Sequence, residues 1–529
     1  MIPPPSPPPN DRAIAAALGL LSLTLYALTA APSLAFIDSG ELATVAWTLG
    51  IAHPTGYPLF TLVGYLVAHA PLPLAPILKL NLLSAAFSAV AVGAFFLLAM
   101  RLLAAPSGLS GRAGTARQPG DRSAVKGAAS PDRWPAVGGA VVGALSLAFS
   151  ATWWSGATSV EVYPMHGLFL VLLIGCFLAA FPRDRREGGA GARYLFAFVL
   201  GLSFTNHMST IYLAPAFLTL YAMRRGVRKE SLMTLLAMGP AFLLGFSLNL
   251  YLPVRASTAP LMNWGNCVDP EAILRHLGGK QYGVWLFSST ATAAKQLSHF
   301  FGTIGPRFSF VPLALALWGM KDLFRKDRHL FILLLLLFLG CLAFAVNYDI
   351  EDIDSYFVLA DIALALAAAA GMAAVLEASR GRTRTIVLTA AGLFLGWHAA
   401  RTWPDADQGG LRQVDQYART LLTGADSGSV IISYQWDYFI SASYYLQEVE
   451  GVRPDVMVVD KELLRRSWYI GSLRRRYPLL LDGLGPDTDA YLAELYKFEN
   501  GIPYDPRAIE ARYAALIAGI IRRHYDARA

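Results

Sequence analysis

The sequence predicts an all-α polytopic membrane protein of about eleven spans, followed by a small C-terminal α/β domain outside the bilayer. Three observations carry this reading. Hydrophobic residues make up 55% of the 529 and charged residues only 15%, with a mean hydropathy of +0.44, against roughly 45–50% and about 25% in a soluble globular chain. Apolar runs of spanning or nearly spanning length recur as far as residue 400. Lysine and arginine gather in alternate connections between those runs, which sets an orientation.

The first run, 13–36, follows a proline-rich and nearly uncharged start. It is longer than the roughly 7–15 apolar residues of a signal peptide, so it is expected to be a retained first span. Further runs cover 77–103, 135–151, 167–181, 194–205, 210–223, 231–254, 308–320, 330–346, 356–377 and 385–400. One set of connections holds Arg112, Arg117, Arg122, Lys126 and Arg133, then Arg183, Arg185 and Arg186, then Arg224, Arg225, Arg228 and Lys229. The same side continues with Lys321, Arg325, Lys326 and Arg328, and with Arg380, Arg382 and Arg384. These connections are expected in the cytoplasm with the N-terminus, and the Ser/Gly/Arg-rich stretch within 104–134 as a linker there.

The alternate connections, 36–76, 153–166, 203–209, 254–307 and 347–355, are poor in Lys and Arg but hold the unusual sequences, so they face outward. The apolar stretch 58–70 is too short to span and reads as an interfacial or re-entrant helix, leaving 36–76 as one outer loop. Beyond residue 402 the pattern changes: 429–433 reads as a strand, 437–449 as a helix and 455–460 as a second strand. The chain therefore divides into a membrane domain, 1–402, with a long outer loop at 254–307, and an extracytoplasmic α/β domain, 403–529. No internal repeat of the inverted-transporter kind stands out.

Composition also excludes. The net charge of +7 comes from the basic connections, so positive-inside topology accounts for it and no nucleic-acid partner is expected. Of the three cysteines, Cys176 and Cys341 lie in apolar runs and Cys267 in a polar segment. They offer neither a disulfide pair nor a zinc spacing.

Chemistry concentrates in the outer loops. Asp38 and Glu41 are three apart, so in a helix starting at Ser39 their carboxylates share a face. The same spacing fits a helix cap. His53 and Tyr57 follow in the same loop, and Glu161, Tyr163 and His166 lie in the next. The bland reading of neighbouring Trp153 and Trp154 is interface anchoring. Asn206 and His207 sit in a third outer segment. The long loop begins with Arg255, an outward cation that asks for a phosphate or for a carboxylate such as Asp354. It continues through Asn263, Trp264, Lys280 and Tyr282. The acidic segment ending in Asp354 and Tyr356 admits a divalent cation by charge, but a metal is not favoured and no cofactor is called for.

Taken in order, DSGELATVAWTLGIAHPTGYPLF, EVYPMHGLF, GLSFTNHMST, YLPVRA with NWGN, QYG, NYDIEDIDSYF and SVIISYQWDYFISASYYLQEVEGVRPDVMVVD resemble the membrane proteins of the "domain of unknown function 2723" family. That family is similar to the GT-C glycosyltransferases and includes the transmembrane protein O-mannosyltransferases of glycosyltransferase family 117. The resemblance implies a GT-C-like fold, a polyprenyl-phosphate sugar as donor and a hydroxyl acceptor. It places the catalytic acid on Asp38 with Glu41 as the second carboxylate. Here Ser39 and Gly40 separate acids that many GT-C enzymes hold adjacent or one apart, and Thr55 stands where the family pattern has proline.

On this reading Asp38 is the base for the attacking hydroxyl. Arg255 leads the candidates for the donor phosphate, with His53, His207 and Lys280 behind it. Tyr57, Glu161, Tyr163, His166, Asn206, Asn263, Trp264, Tyr282, Asp354 and Tyr356 would line the substrate pocket. The expected partners are the lipid-linked sugar, a protein or glycan hydroxyl and the bilayer. The Ala, Gly and Arg richness fits a bacterial inner membrane with the site facing the periplasm. The rival is a transporter or flippase of lipid-linked sugars, disfavoured because the ionisable residues lie at span ends rather than at the midplane.

Overall fold

The computed structural model describes residues 9–103, 133–183 and 189–526. The linker expected within 104–134 falls almost wholly outside them, as do Arg185 and Arg186. The membrane part comprises α1 (Pro9–Leu28), α2 (Ser39–Thr48), α3 (Pro58–Ala68), α4 (Pro76–Leu103), α5 (Trp134–Ala148), α6 (Ala151–Gly156), α7 (Tyr163–Ala180), α8 (Ala190–Ser203), α9 (Ala214–Arg225) and α10 (Lys229–Phe246). It continues with α11 (Tyr251–Ser257), α12 (Pro270–Leu277), α13 (Thr290–Phe308), α14 (Phe310–Lys326), α15 (Arg328–Ala345), α16 (Val358–Ala378) and α17 (Gly381–Ala406). Each apolar run read from the sequence overlaps at least one of these helices, with 231–254 crossing both α10 and α11 and 13–36 extending beyond the end of α1.

Among the described residues six helices are long and apolar enough to cross a membrane, or seven if α13 and α14, bent by 107°, count as one span. Shorter apolar helices, α3, α5 and α8, pack beside them. The expected count of about eleven included such short runs, several below the roughly 20 residues of a perpendicular span. The protein is a multi-pass integral membrane protein.

Alanine-rich α16 is the axis of the bundle, buried along nearly its whole length. It packs against α5, α14 and α15. Between membrane helices, where lipid is as apolar as a side chain, close backbone approach supplies the packing energy. Gly371 of α16 and Gly319 of α14 face each other's helix backbone with no room for a Cβ on either.

The connections rich in polar motifs meet at one end of this bundle. Asn81 on α4 donates to Ala31 O at 2.7 Å and accepts from Val160 N at 2.8 Å. Ile51 N donates to Met262 O at 2.7 Å, Asn206 reaches Val162 O at 3.3 Å, and the Tyr163 and Tyr356 rings meet edge to face at 5.7 Å. Trp153 and Trp154 are buried there, 5% and 0% exposed. Trp154 donates to Thr29 Oγ1 at 2.8 Å, so these tryptophans are core residues and not interface anchors.

The C-terminal part contains α18 (Gln413–Gly424), β1 (Val430–Ser433), α19 (Ser441–Glu448), β2 (Met457–Asp460), α20 (Ser467–Arg476), α21 (Gly485–Glu499) and α22 (Pro506–Asp526). The two strands pair in parallel, Val430 opposite Met457 through Ser433 opposite Asp460. Val459, Leu464, Ile470, Leu473, Tyr491 and Leu516 form part of its own core. Strand–helix–strand is the order read from the sequence. The helix lies against α2, which seats this domain on the segment bearing Asp38.

Candidate active site

Asp38 occupies the N-cap position of α2, and its carbonyl accepts the first helical bond from Leu42 N at 2.8 Å. Its carboxylate makes no cap bond. Oδ1 instead accepts from the Trp436 indole N–H at 2.7 Å, so the capping-box reading fails at its defining bond. Glu41, one turn on, is fully buried. Its Oε1 accepts from His53 N at 2.7 Å and its Oε2 meets His53 Nδ1 at 2.6 Å. The two carboxylates therefore differ in kind, one about a quarter exposed (24%) and the other sealed behind an imidazole.

His53 returns to the acids because α2 ends abruptly. Leu49 adopts the left-handed conformation at φ 53°, and Arg255 donates from Nε to Leu49 O at 2.7 Å and from a terminal nitrogen to Thr48 O at 3.5 Å. Tyr251 adds a bond to Gly50 O at 2.8 Å. A cation at a helix C-terminus satisfies orphan carbonyls and the negative end of the dipole. That is the partner Arg255 has found. The alternative pairing with Asp354 is not formed: Asp354 is held by Arg307 at 2.6 Å and His299 at 2.9 Å.

The protonation of His53 follows from its neighbours. The Tyr57 hydroxyl donates to Pro54 O at 3.1 Å and lies 2.9 Å from His53 Nε2. With its one proton committed to the carbonyl, the hydroxyl accepts from Nε2–H, while Glu41 accepts from Nδ1–H. Both ring nitrogens then donate, which makes His53 an imidazolium. Burial on its own lowers the affinity of His53 for this proton, but the charges of Glu41 and Asp38 outweigh it and push the pKa up to about 10. Asp38 is raised by burial, an effect opposed by His53, reinforced by Glu41 and opposed again by the Trp436 N–H. His53 Nε2 lies 3.8 Å from Asp38 Oδ2.

Around this centre lie most of the residues singled out from the sequence. Glu161 is pushed well above the usual carboxyl range by burial and by Asp38 and Asp352. His207 stacks over Tyr57 at 6.2 Å and meets Tyr163 and Tyr356 at 5.3 and 5.8 Å. It is held down to about 4 by burial and by the His53 charge. Its Nδ1 bonds Ser209 Oγ at 2.7 Å, and that oxygen bonds His166 Nε2 at 2.8 Å. His207 is thus one end of a buried His–Ser–His chain, not a lone histidine. Trp264 lies edge-on to His53 at 6.0 Å and to Trp436 at 5.5 Å. Asp38 and Glu41 also act electrostatically on Tyr282. Asn263 is buried and bonds Asn266 at 2.9 Å. Lys280 sits further out, its Nζ 3.4 Å from Glu499 O.

One ligand atom each from Asp38, Glu41 and His53 lie within 4.8 Å of one another, the only grouping of that kind among the described residues. His53 is spent on Glu41 and Tyr57 and, donating from both nitrogens, offers no lone pair to a metal. The acids of 347–355 form no such group among the described residues. Asp349 pairs with Lys295 at 3.1 Å, and Asp354 is held as above.

Sequence reasoning missed Trp436, Ser441, Ser209 and Asp352. Trp436 and Ser441 lie about 400 residues from the loop they serve, Trp436 398 residues from Asp38. Only the quoted motif spanning 429–460 marked the segment. Ser209 had a signal, since it lies two residues beyond His207.

Residues 38–231 match the family model described as the protein O-mannosyl-transferase TMEM260 N-terminal domain, and residues 414–478 match TMEM260-associated domain 2. The protein O-mannosyl-transferase TMEM260 of Mus musculus is 26% identical, with 86% of this chain and 63% of that protein aligned. Its Dictyostelium discoideum counterpart is 21% identical over 84% of this chain and 56% of that protein. The chain thus spans less than two thirds of the length of these relatives. Among solved structures, the Archaeoglobus fulgidus oligosaccharyltransferase AglB, in complex with an inhibitory peptide and a dolichol-phosphate, superposes with a TM-score of 0.53 at 10% identity, covering 88% of this chain and 68% of that one. ArnT from Cupriavidus metallidurans, bound to undecaprenyl phosphate, gives 0.53 at 12% identity over 86% and 91%. Two stretches in order along one chain thus resemble the domains of the TMEM260 protein O-mannosyl-transferases, and the chain shares its fold with AglB and ArnT.

Proposed function

We propose that the protein is a membrane glycosyltransferase that moves a hexose, mannose in the first instance, from a polyprenyl-phosphate donor to a Ser or Thr hydroxyl of a protein. One observation carries the reading: of two acids in one helical turn, Asp38 keeps about a quarter of its side chain exposed (24%) while Glu41 is sealed and committed to His53. Names of similar proteins support the substrate classes, since the aligned relatives are protein O-mannosyl-transferases and the two structural neighbours carry dolichol-phosphate or undecaprenyl phosphate. The basic connections support an orientation with this end of the bundle outside the cytoplasm. Composition supports a bacterial inner membrane, with the site in the periplasm.

In the reaction Asp38 takes the proton of the attacking hydroxyl, whose oxygen bonds the anomeric carbon. The bond from that carbon to the phosphate oxygen breaks, and the polyprenyl phosphate leaves with the electron pair. Direct displacement gives inversion. The imidazolium of His53 supplies positive charge beside the developing anion, held by Glu41 and Tyr57. His207, with Ser209 and His166 behind it, adds neutral hydrogen-bonding groups toward the phosphate. Arg255 acts at one remove, by fixing the turn that delivers His53. The imidazolium takes the place between carboxylates that a metal would otherwise fill, so we propose transfer without one.

The test is transfer of radiolabelled mannose from a short-chain polyprenyl-phosphate mannose to a Ser/Thr-rich peptide by the purified chain in lipid, with and without a chelator. Label on the peptide in both conditions supports the reading. Movement of the donor across the bilayer with no label on any acceptor would favour a flippase, and chelator-sensitive transfer would contradict the metal-free mechanism.

A further inference from the structure

The C-terminal domain reaches Asp38 through the turn Trp436–Ile440 between β1 and α19. Trp436 donates its indole N–H to Asp38 Oδ1 at 2.7 Å. The ring is locked from the side, edge-on to Trp264 at 5.5 Å and packed against Tyr444 at 6.3 Å. The backbone carrying Asp38 is tied to the same turn. Ile37 N donates to Asp437 O at 3.3 Å, and Glu41 N donates to Ser441 Oγ at 2.9 Å. Phe36 lies edge-on to Tyr438 at 5.5 Å.

We propose that Trp436 is a positioning residue for Asp38, so that the C-terminal domain completes a reactive centre which the membrane helices alone leave unfinished. An indole has one donor and no acceptor. It can therefore fix one carboxylate oxygen without competing for the proton the carboxylate must accept. With Oδ1 engaged, Oδ2 is the oxygen left for an acceptor hydroxyl. Remove the N–H and the nearest remaining partner is the His53 imidazolium, 3.8 Å from Oδ2. Asp38 then turns into an ion pair and away from the hydroxyl. The catalytic consequence rests on the glycosyl-transfer reading; the positioning itself does not.

Two measurements on the full-length chain test this. In protein labelled with ¹⁵N-tryptophan, the indole N–H resonance that disappears in W436F is expected downfield, and it moves upfield in D38N. In the mannose transfer assay, W436F is expected to lower kcat by about 10- to 100-fold, the range for a lost hydrogen bond to a charged group. The donor KM stays within about twofold, because the interaction acts after binding. W436H, which keeps a ring N–H, recovers most of kcat. A Trp436 resonance indifferent to D38N, or a folded W436F with wild-type kcat, overturns the inference. Should W436F unfold, the response of the Trp436 resonance to D38N decides, and no movement of it overturns the inference. If the wild type transfers no sugar while the resonance answers to Asp38, the positioning stands and the glycosyltransferase reading falls.

Discussion

Gly40 is the position where a single methyl group separates the two halves of the site. A Cβ built there would come within 2.7 Å of Ala442 Cα and closer still to the Ser441 carbonyl. These are backbone atoms of α19, which have no rotamer by which to move aside. Carbon atoms in contact sit about 3.5–4.0 Å apart, so Gly40→Ala must push α19 away from α2 by on the order of 1 Å. The Glu41 N to Ser441 Oγ bond at 2.9 Å and the Trp436 to Asp38 bond at 2.7 Å both cross that interface. A 1 Å displacement takes each past hydrogen-bonding distance. Overpacking costs about 1–3 kcal/mol, and losing a bond to a charged group about 1.5–3 kcal/mol, so destabilisation of about 3–5 kcal/mol is expected. Misplacement of a reacting group by about 1 Å costs on the order of 100-fold in rate. Thermal unfolding in detergent and mannose transfer read the two effects. G40A that melts and transfers like the wild type would refute the claim that this contact holds the site together.

Two further predictions concern the cations. The folded-state pKa of His53 is pushed from the ordinary 6.5 to about 10, so the stability it contributes is full below 6.5 and is lost as pH climbs through about 10. The difference in thermal midpoint between wild type and H53Q should be constant below about pH 6, shrink steadily as pH rises from about 6.5 to about 10 and level off above that; a difference that does not change with pH across this range would mean that His53 is an ordinary imidazole. Arg255→Ala removes the bonds to Leu49 O and Thr48 O and is expected to cost about 1–3 kcal/mol of stability, with kcat reduced and donor KM unchanged. A tenfold rise in donor KM with an unchanged melt would instead make Arg255 a phosphate ligand.

Much of the architecture is legible in the sequence because the signals are local. Apolar runs mark helices whether or not they are long enough to span, and turn residues around 429–433 and 455–460 set off two strands close to their observed limits. Asp38, Glu41, His53 and Tyr57 were legible as a set because they share one loop, and a loop can fold its own residues together. What that loop does internally was not legible. Periodicity places Asp38 and Glu41 on one face, but it does not say that an indole from another domain takes Asp38 or that an imidazole seals Glu41. Arg255 shows the same limit. An outward arginine without a local partner reads as a ligand for an anion, yet its partners are the backbone carbonyls of α2, a group every residue carries and no sequence pattern advertises. Trp153 and Trp154 misled for a related reason: tryptophan suits both the membrane interface and a buried site with a hydrogen-bond acceptor, and the acceptor, Thr29, lies 125 residues from Trp154.

The division of labour between two acids one helical turn apart is the central claim, and Asp38→Asn beside Glu41→Gln tests it most directly. Both variants keep their side-chain volume. Asp38→Asn cannot take a proton from the acceptor but stays folded, because Glu41 and His53 are untouched. Glu41→Gln strips the imidazolium of its buried counter-charge. Measured together for mannose transfer and thermal unfolding, D38N is expected to melt near the wild-type temperature with transfer lost by 100-fold or more, on the order of a general-base contribution, while E41Q loses stability along with activity. Wild-type transfer by a well-folded D38N would contradict the account, and a stable but inactive E41Q would move the base from Asp38 to Glu41.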